Sequence, residues 1–184
     1  IQNIEPIRAV GIVDVYRYII GHYAQPQTEA LRLMLSSPEA KRYKATHFDY
    51  CTFSGLFRKR NEKELIMHSG LMCLDFDHVD NIGELKQQLL NHGYFDTELL
   101  FVSPSGNGLK WIIPVDLKGW EHSRYFKAVA NCIKATGLPL VDMSGSDVAR
   151  SCFLPYDPQA YINHKYKDDV EENIFRPRLG ECPF

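Results

Sequence analysis

Between Gly70 and His78 the chain is apolar at nearly every position until it breaks into two acids, in the order Leu71-Met72-Cys73-Leu74-Asp75-Phe76-Asp77. A run of that kind predicts a short strand buried on both faces. Residues two apart on a strand point the same way, so Asp75 and Asp77 are expected to leave the sheet together while Leu74 and Phe76 face the other side. Two carboxylates so placed repel one another, and a divalent cation, a shared proton or an arginine would offset the repulsion. A metal site is the expectation, against a strand-end turn with two hydrated acids.

Helical spacing governs the first forty residues. Val15, Tyr18 and Ile19, with Gly21 as a stop, predict a short helix over residues 14–20. Ala30, Leu31, Met34 and Leu35 predict a second, from about Thr28 to the break at Ser36-Ser37-Pro38. A third helical turn over residues 39–44 carries Lys41, Arg42 and Lys44, a basic run read as a solvated face. From Phe48 to Arg60 aromatic and β-branched residues take over, and Ser54-Gly55 divides them into two short strands around a turn. Arg58 and Arg60 share a face at strand spacing, which suits phosphate contact as well as it suits two edge arginines. Residues 65–68 lead into the acidic strand, and His68 is read as a structural histidine near the acids.

Beyond the acids, Asn81 and Glu84 have capping-box spacing, and Leu85 and Leu89 carry that helix to Gly93. Residues 98–103 and 110–115 form two more strands around Pro104-Ser105-Gly106-Asn107-Gly108-Leu109. Two glycines let the backbone of such a turn approach a ligand. Ser103, Ser105 and Lys110 flank it with the hydroxyls and ammonium that suit a polyphosphate. Phe126, Val129, Ala130 and Ile133 make the apolar stripe of a helix over residues 123–136, capped by Gly137. Leu138-Pro139-Leu140-Val141 then runs to a third acid, Asp142, with Asp147 and Arg150 close behind. After Pro158 the chain turns polar and acidic, so one domain is expected over residues 1–158 and a tail or linker over residues 159–184.

Composition narrows the class without naming a partner. The 184 residues suit one α+β domain with its own core, and 45% hydrophobic with 24% charged residues is ordinary for a soluble fold. A net charge of −2 gives no global attraction for nucleic acid, so any polyanion has to be met by a local basic patch. No apolar stretch approaches the ~20 residues of a membrane span. The five cysteines have no CxxC spacing and are read as reduced thiols of a cytoplasmic protein.

Taken together, several segments resemble the archaeo-eukaryotic primase, or primase-polymerase, superfamily. They are Thr52-Phe53-Ser54-Gly55, His68-Ser69-Gly70, Leu74-Asp75-Phe76-Asp77-His78, Ser103-Pro104-Ser105-Gly106-Asn107-Gly108-Leu109-Lys110 and the stretch from Ser146-Asp147-Val148-Ala149-Arg150 to Pro158. The resemblance is nearest to the primase-like N-terminal domain of virulence-associated-E-type proteins of Bacteroides mobile elements. It implies an RRM-like, antiparallel-containing sheet with flanking helices beside a smaller α/β unit, the acids lying in the cleft between them. It further implies two-metal nucleotidyl transfer from a nucleoside triphosphate on a single-stranded template, with Mg²⁺ or Mn²⁺ as cofactor and a helicase domain following in a longer protein. Asp75 and Asp77 match the first-motif ligands. Asp142, with Asp147 as its rival, matches the third acid, and Arg150 matches the residue that grips the triphosphate. Lys110 stands where relatives usually carry a histidine; it can hold a phosphate as a point charge but cannot coordinate or shuttle a proton as imidazole does.

Two other functions fit parts of the same pattern. A nucleotide- or nucleic-acid-binding accessory domain without turnover accommodates Lys110 and the low net charge. A phosphohydrolase of the haloacid-dehalogenase type shares Asp75/Asp77, Ser103, Lys110 and Asp142/Asp147. It lacks the glycine and threonine such enzymes carry after the second aspartate, where His78-Val79-Asp80 stands here.

Overall fold

The computed structural model describes residues 4–35 and 37–172. Its helices are α1 (Ile12–Ile20), α2 (Gln25–Leu33), α3 (Ala40–His47), α4 (Ile82–Leu90), α5 (His122–Ala135) and α6 (Lys167–Glu172). The strands are β1 (Tyr50–Cys51), β2 (Gly55–Phe57), β3 (Leu65–His68), β4 (Leu71–Phe76), β5 (Leu99–Val102), β6 (Leu109–Pro114), β7 (Cys152–Phe153) and β8 (Tyr161–Ile162). The fold is α+β, and every strand pairing in it is antiparallel.

The main sheet has the order β4-β6-β5-β8. Its pleat sorts the side chains into two layers. Met72, Leu74 and Phe76 of β4, with Leu109, Trp111 and Ile113 of β6, form one buried face against Leu85 and Leu89 of α4 and Phe126, Val129 and Ile133 of α5. Full burial of a side chain such as Leu74 or Phe76 contributes about 1.5–3 kcal/mol, so the strand that carries the acids is pinned from this side. On the opposite face Leu99, Phe101 and Ile112 pack with Val15 and Ile19 of α1 and with Cys152 and Leu154. Asp75 and Lys110 belong to this second face, because they sit one position out of phase with the first.

The helix boundaries follow local chemistry. Asn81 accepts the Glu84 N–H, the N-cap half of the capping box read from the spacing, while the Glu84 carboxylate takes the Asn81 side-chain amide and not its backbone N–H. Phe126, Val129, Ala130 and Ile133 are all buried, as the helical stripe requires. Pro26 near the start of α2 places its first turn earlier than Thr28, after a 3₁₀ turn over His22–Ala24.

Three expectations are corrected. The strands read around Ser54-Gly55 do not pair with each other: β1 pairs with β7, and β2 pairs with β3. Strand β2 ends at Phe57, so Arg58 and Arg60 do not share a strand face. The Arg60 guanidinium lies 5.7 Å over the Tyr50 ring. The domain does not stop at Pro158, because Tyr161–Ile162 adds an edge strand to β5 and Arg17 of α1 donates to the carbonyl oxygens of Asp169 and Val170. Only residues 173–184 of the expected tail lie outside the described residues.

Candidate metal and phosphate site

The acids meet because β4 is an edge strand. Asp75 faces the second layer of the sheet, and Asp77 lies just past the strand end, exposed. On the open side of β4 the Asp75 carbonyl accepts the backbone N–H of Asp142 at 2.8 Å. Asp142 in turn caps a 3₁₀ turn over Met143–Ser146 by accepting the Ser144 N–H at 2.9 Å. Gly145 of that turn lies where a Cβ would come 2.6 Å from the Phe126 ring and 3.2 Å from the Cys73 carbonyl oxygen, so only glycine lets the turn close against the strand. As a result Asp75, Asp77 and Asp142 each offer an oxygen within 4.8 Å of the others, a separation suited to one shared cation.

At such distances two carboxylates near a protein surface repel by about 3–4 kcal/mol at an effective dielectric constant of ~20. Partial relief is built in. Lys110, directly opposite Asp75 on β6, forms an ion pair with Asp75 Oδ2. Arg150 Nη2 stands 3.6 Å from Asp142 Oδ2. Burial pushes the Lys110 ammonium below the usual lysine range, and Lys44 and Arg150 add repulsion against the opposing pull of the Cys152 and Cys73 sulfurs. Burial also acts to raise the Asp142 carboxyl, but the hydrogen bonds from Ser144 and the charges of Arg150 and Lys110 outweigh it and hold the group below the usual aspartate range.

A cleft of about 410 Å³ opens over this group, walled by Asp75, Asp77, Ser103, Ser105, Lys110, Arg150 and Ser151, with Phe153. Helix α3 closes its far side with Lys41 and Lys44, so the basic run read as a solvated face supplies two of the cleft's cations. Their i, i+3 spacing on a helix was the available signal. The expected ligand residues divide as follows. Asp142 joins Asp75 and Asp77, whereas exposed Asp147 accepts the Ala149 N–H and is not in the group. Ser103 and Ser105 reach the cleft. The Gly106 N–H is taken by the Ser103 carbonyl, and Gly108 brings the loop against the strand end, where a Cβ would lie 2.4 Å from the Phe76 carbonyl oxygen. Asn107 likewise accepts the Val79 N–H. Gly106, Asn107 and Gly108 shape the loop that holds Ser103 and Ser105, and are not in the cleft wall; Arg58 and Arg60 do not line the cleft either.

The donor set fits a hard divalent cation. All three ligands are carboxylate oxygens, as Mg²⁺ and Mn²⁺ prefer. Asp75 Oδ1 is buried without a hydrogen-bond partner, and so is the hydroxyl of Ser103, a residue only 3% exposed in the cleft wall. A buried polar atom left unpaired is costly, and a cation with its waters would satisfy both.

His68 is not a ligand but part of a brace. Its Nδ1 accepts the Gly70 N–H at 3.1 Å, so its Nε2 carries the proton and donates to His122 Nδ1 at 3.1 Å. His122 Nε2 then donates to the Gly145 carbonyl at 3.2 Å. Two neutral imidazoles thus tie β3 and α5 to the turn that carries Asp142. Burial lowers both imidazoles below the usual histidine range. For His68 the second imidazole adds to this, and for His122 Gly145, Asp147 and Glu62 oppose it.

Neither the curated proteins nor the solved structures hold a match to this chain. A family model does match: the one described as BT4734-like, N-terminal domain covers residues 42–162, from within α3 through β8, and so includes Asp75, Asp77, Asp142, Lys44, Lys110 and Arg150 but not Lys41. The chain belongs to the BT4734-like N-terminal domain family.

Proposed function

We propose that this domain is a primase-polymerase-type nucleotidyltransferase core, joining a nucleoside triphosphate to the 3′-hydroxyl of a nucleic-acid strand on a single-stranded template. The observation that carries the reading is the convergence of Asp75, Asp77 and Asp142, from separate parts of the chain, at the mouth of a cleft lined by Lys41, Lys44, Lys110 and Arg150. Oxygen ligands beside a cationic wall suit a substrate that carries both a divalent ion and a polyphosphate.

Each residue has a role in that reading. Asp75, Asp77 and Asp142 would hold Mg²⁺ or Mn²⁺, which when bound lowers the pKa of an attacking hydroxyl and neutralises charge on the leaving pyrophosphate. Arg150 and Lys110 hold phosphate oxygens, with Ser103 and Ser105 as hydroxyl donors in the same cleft. The free thiols Cys51, Cys73, Cys132 and Cys152 fit work in the reducing cytoplasm. Among the described residues no helix is long and apolar enough to cross a membrane.

One observation favours a second reading, a nucleotide-binding accessory domain without turnover: Lys110 already neutralises part of Asp75. The phosphohydrolase alternative loses support, since Lys110 meets Asp75 from the antiparallel neighbouring strand β6 and not from a later helix. Incubation with a primed single-stranded template, labelled nucleoside triphosphate and Mn²⁺ separates these readings. Incorporation that vanishes in Asp75→Ala/Asp77→Ala supports the transferase. Nucleotide binding without incorporation supports the accessory domain, and release of phosphate in a parallel incubation with an aryl phosphate and Mg²⁺ supports the hydrolase.

A further inference from the structure

We infer that Phe153 is the seat of the nucleobase, its ring stacking on the base of the triphosphate that Arg150 and Lys110 hold. On the nucleotidyl-transfer reading, on which this rests, the ions and phosphates have partners and the base has none.

The cleft is roomier than a metal ion and a phosphate chain require. Its volume of about 410 Å³ falls among sites for whole small ligands, which run from about 300 to 1,000 Å³. Charged and hydroxyl side chains line most of it, and its apolar part is confined to Ala45, Pro104 and Phe153. Among the described residues that line the cleft, Phe153 is the one aromatic. A phosphate chain gains nothing from an aromatic wall. A base does, because every base presents a π-face.

The place of the ring follows from β7. Residues two apart on an extended chain share a side, so Phe153 goes with Ser151 into the cleft, while Cys152 between them packs into the core with Leu99 and Phe101. Arg150 stands three residues back, and three residues of chain reach at most about 10 Å. That reach is comparable to the separation of phosphate and base across a ribose, so one nucleotide can meet both side chains.

Neighbouring rings brace the platform. The Phe153 centroid lies 6.5 Å from those of Phe48 and Tyr50, at interplanar angles of 70° and 81°, edge-to-face packing that fixes its plane. Phe48 is buried, but Phe153 keeps part of its surface open to the cleft. A ring already held in place loses little freedom when a base settles on it. Stacking reads no hydrogen-bond pattern, so the seat accepts any base and leaves selection to the template strand.

The test compares a nucleotide with a bare phosphate chain. Calorimetry of the whole chain in saturating Mn²⁺ measures the affinity for ATP and for inorganic tripolyphosphate, in wild type and in Phe153→Leu. The variant is expected to bind ATP about tenfold more weakly, as the loss of one base–aromatic stack requires, and tripolyphosphate as wild type does. An equal loss for both ligands, no loss for ATP, or a wild type that binds tripolyphosphate but not ATP overturns the inference and leaves the transferase reading standing. A wild type that binds neither overturns both. Should the leucine variant not fold, Phe153→Trp keeps an aromatic ring in place and reports directly. Its added indole emission is expected to be quenched by ATP and not by tripolyphosphate, and the same response to both overturns the inference.

Discussion

The backbone N–H of Asp142 donates to the carbonyl oxygen of Asp75 across 2.8 Å. Acids remote in the chain are thus joined through the main chain before any cation arrives, and their carboxylates cannot drift apart without breaking a hydrogen bond on the edge of the sheet. The third ligand is therefore a position as much as a residue type, and Asp142 and Asp147 can be told apart experimentally.

Asp142→Asn keeps an acceptor for the Ser144 N–H, so the turn is expected to survive while a ligand charge is lost. Mn²⁺ affinity should fall roughly tenfold or more with little change in the urea midpoint. Asp147→Asn should leave Mn²⁺ binding within error of wild type, because Asp147 lies outside the group. The reverse ranking would move the third ligand to Asp147.

Gly108 is required by contact with β4 itself. A Cβ would meet the Phe76 carbonyl oxygen at 2.4 Å, and backbone cannot swing aside as a side chain can. Gly108→Ala is expected to cost about 1–3 kcal/mol in urea unfolding, in the range of core overpacking. Gly93→Ala, where nothing lies within 4 Å of the added Cβ, is the control and should cost far less.

Elements written in local periodicity were legible from the residues. The alternation of β4 put Asp75 opposite Leu74 and Phe76, Asn81 and Glu84 marked a helix start, and Phe126, Val129, Ala130 and Ile133 marked the buried stripe of α5. What escaped depends on partners distant in sequence. Strand β1 finds β7 across about a hundred residues, and nothing in Tyr50-Cys51 encodes that choice. Strand β8 is two residues long, too short to show alternation inside a polar stretch. Lys41 and Lys44 look like any solvated basic run until α3 is folded over the cleft.

Because β8 completes the main sheet, a chain ending at Pro158 should be less stable than one ending at Glu172. Its loss would bare the β5 edge at Leu99 and Leu100 and remove Lys165 from the buried carboxylate of Glu98. A lower melting temperature and concentration-dependent aggregation of the shorter chain are expected. Identical melting would return residues 159–172 to the role of a tail.

Lys41 and Lys44 face the cleft with no role in the acid group. Lys41→Ala/Lys44→Ala is expected to weaken single-stranded nucleic acid or triphosphate binding and to flatten its dependence on salt by about one to two units of log–log slope, as lost phosphate contacts require. Mn²⁺ binding without nucleotide should be unaffected. A salt slope equal to that of wild type would leave the two lysines as surface charge.

The histidine brace makes stability depend on pH in a definite sense. Both imidazoles are lowered in the fold, so the unfolded chain takes up protons first as pH falls, at about 6.5, the ordinary histidine value. The stabilisation is fully present above that pH and is lost progressively down to the folded values, since a second proton on either ring would replace the acceptor that Gly70 or His68 needs. Urea midpoints should therefore drop between pH 7.5 and pH 5.5. His92, lowered by burial elsewhere in the fold, adds a part that does not involve the site. In His68→Gln/His122→Gln the drop should shrink to that remaining part. A double variant with the full wild-type pH dependence would show that the pair does not brace the Asp142 turn.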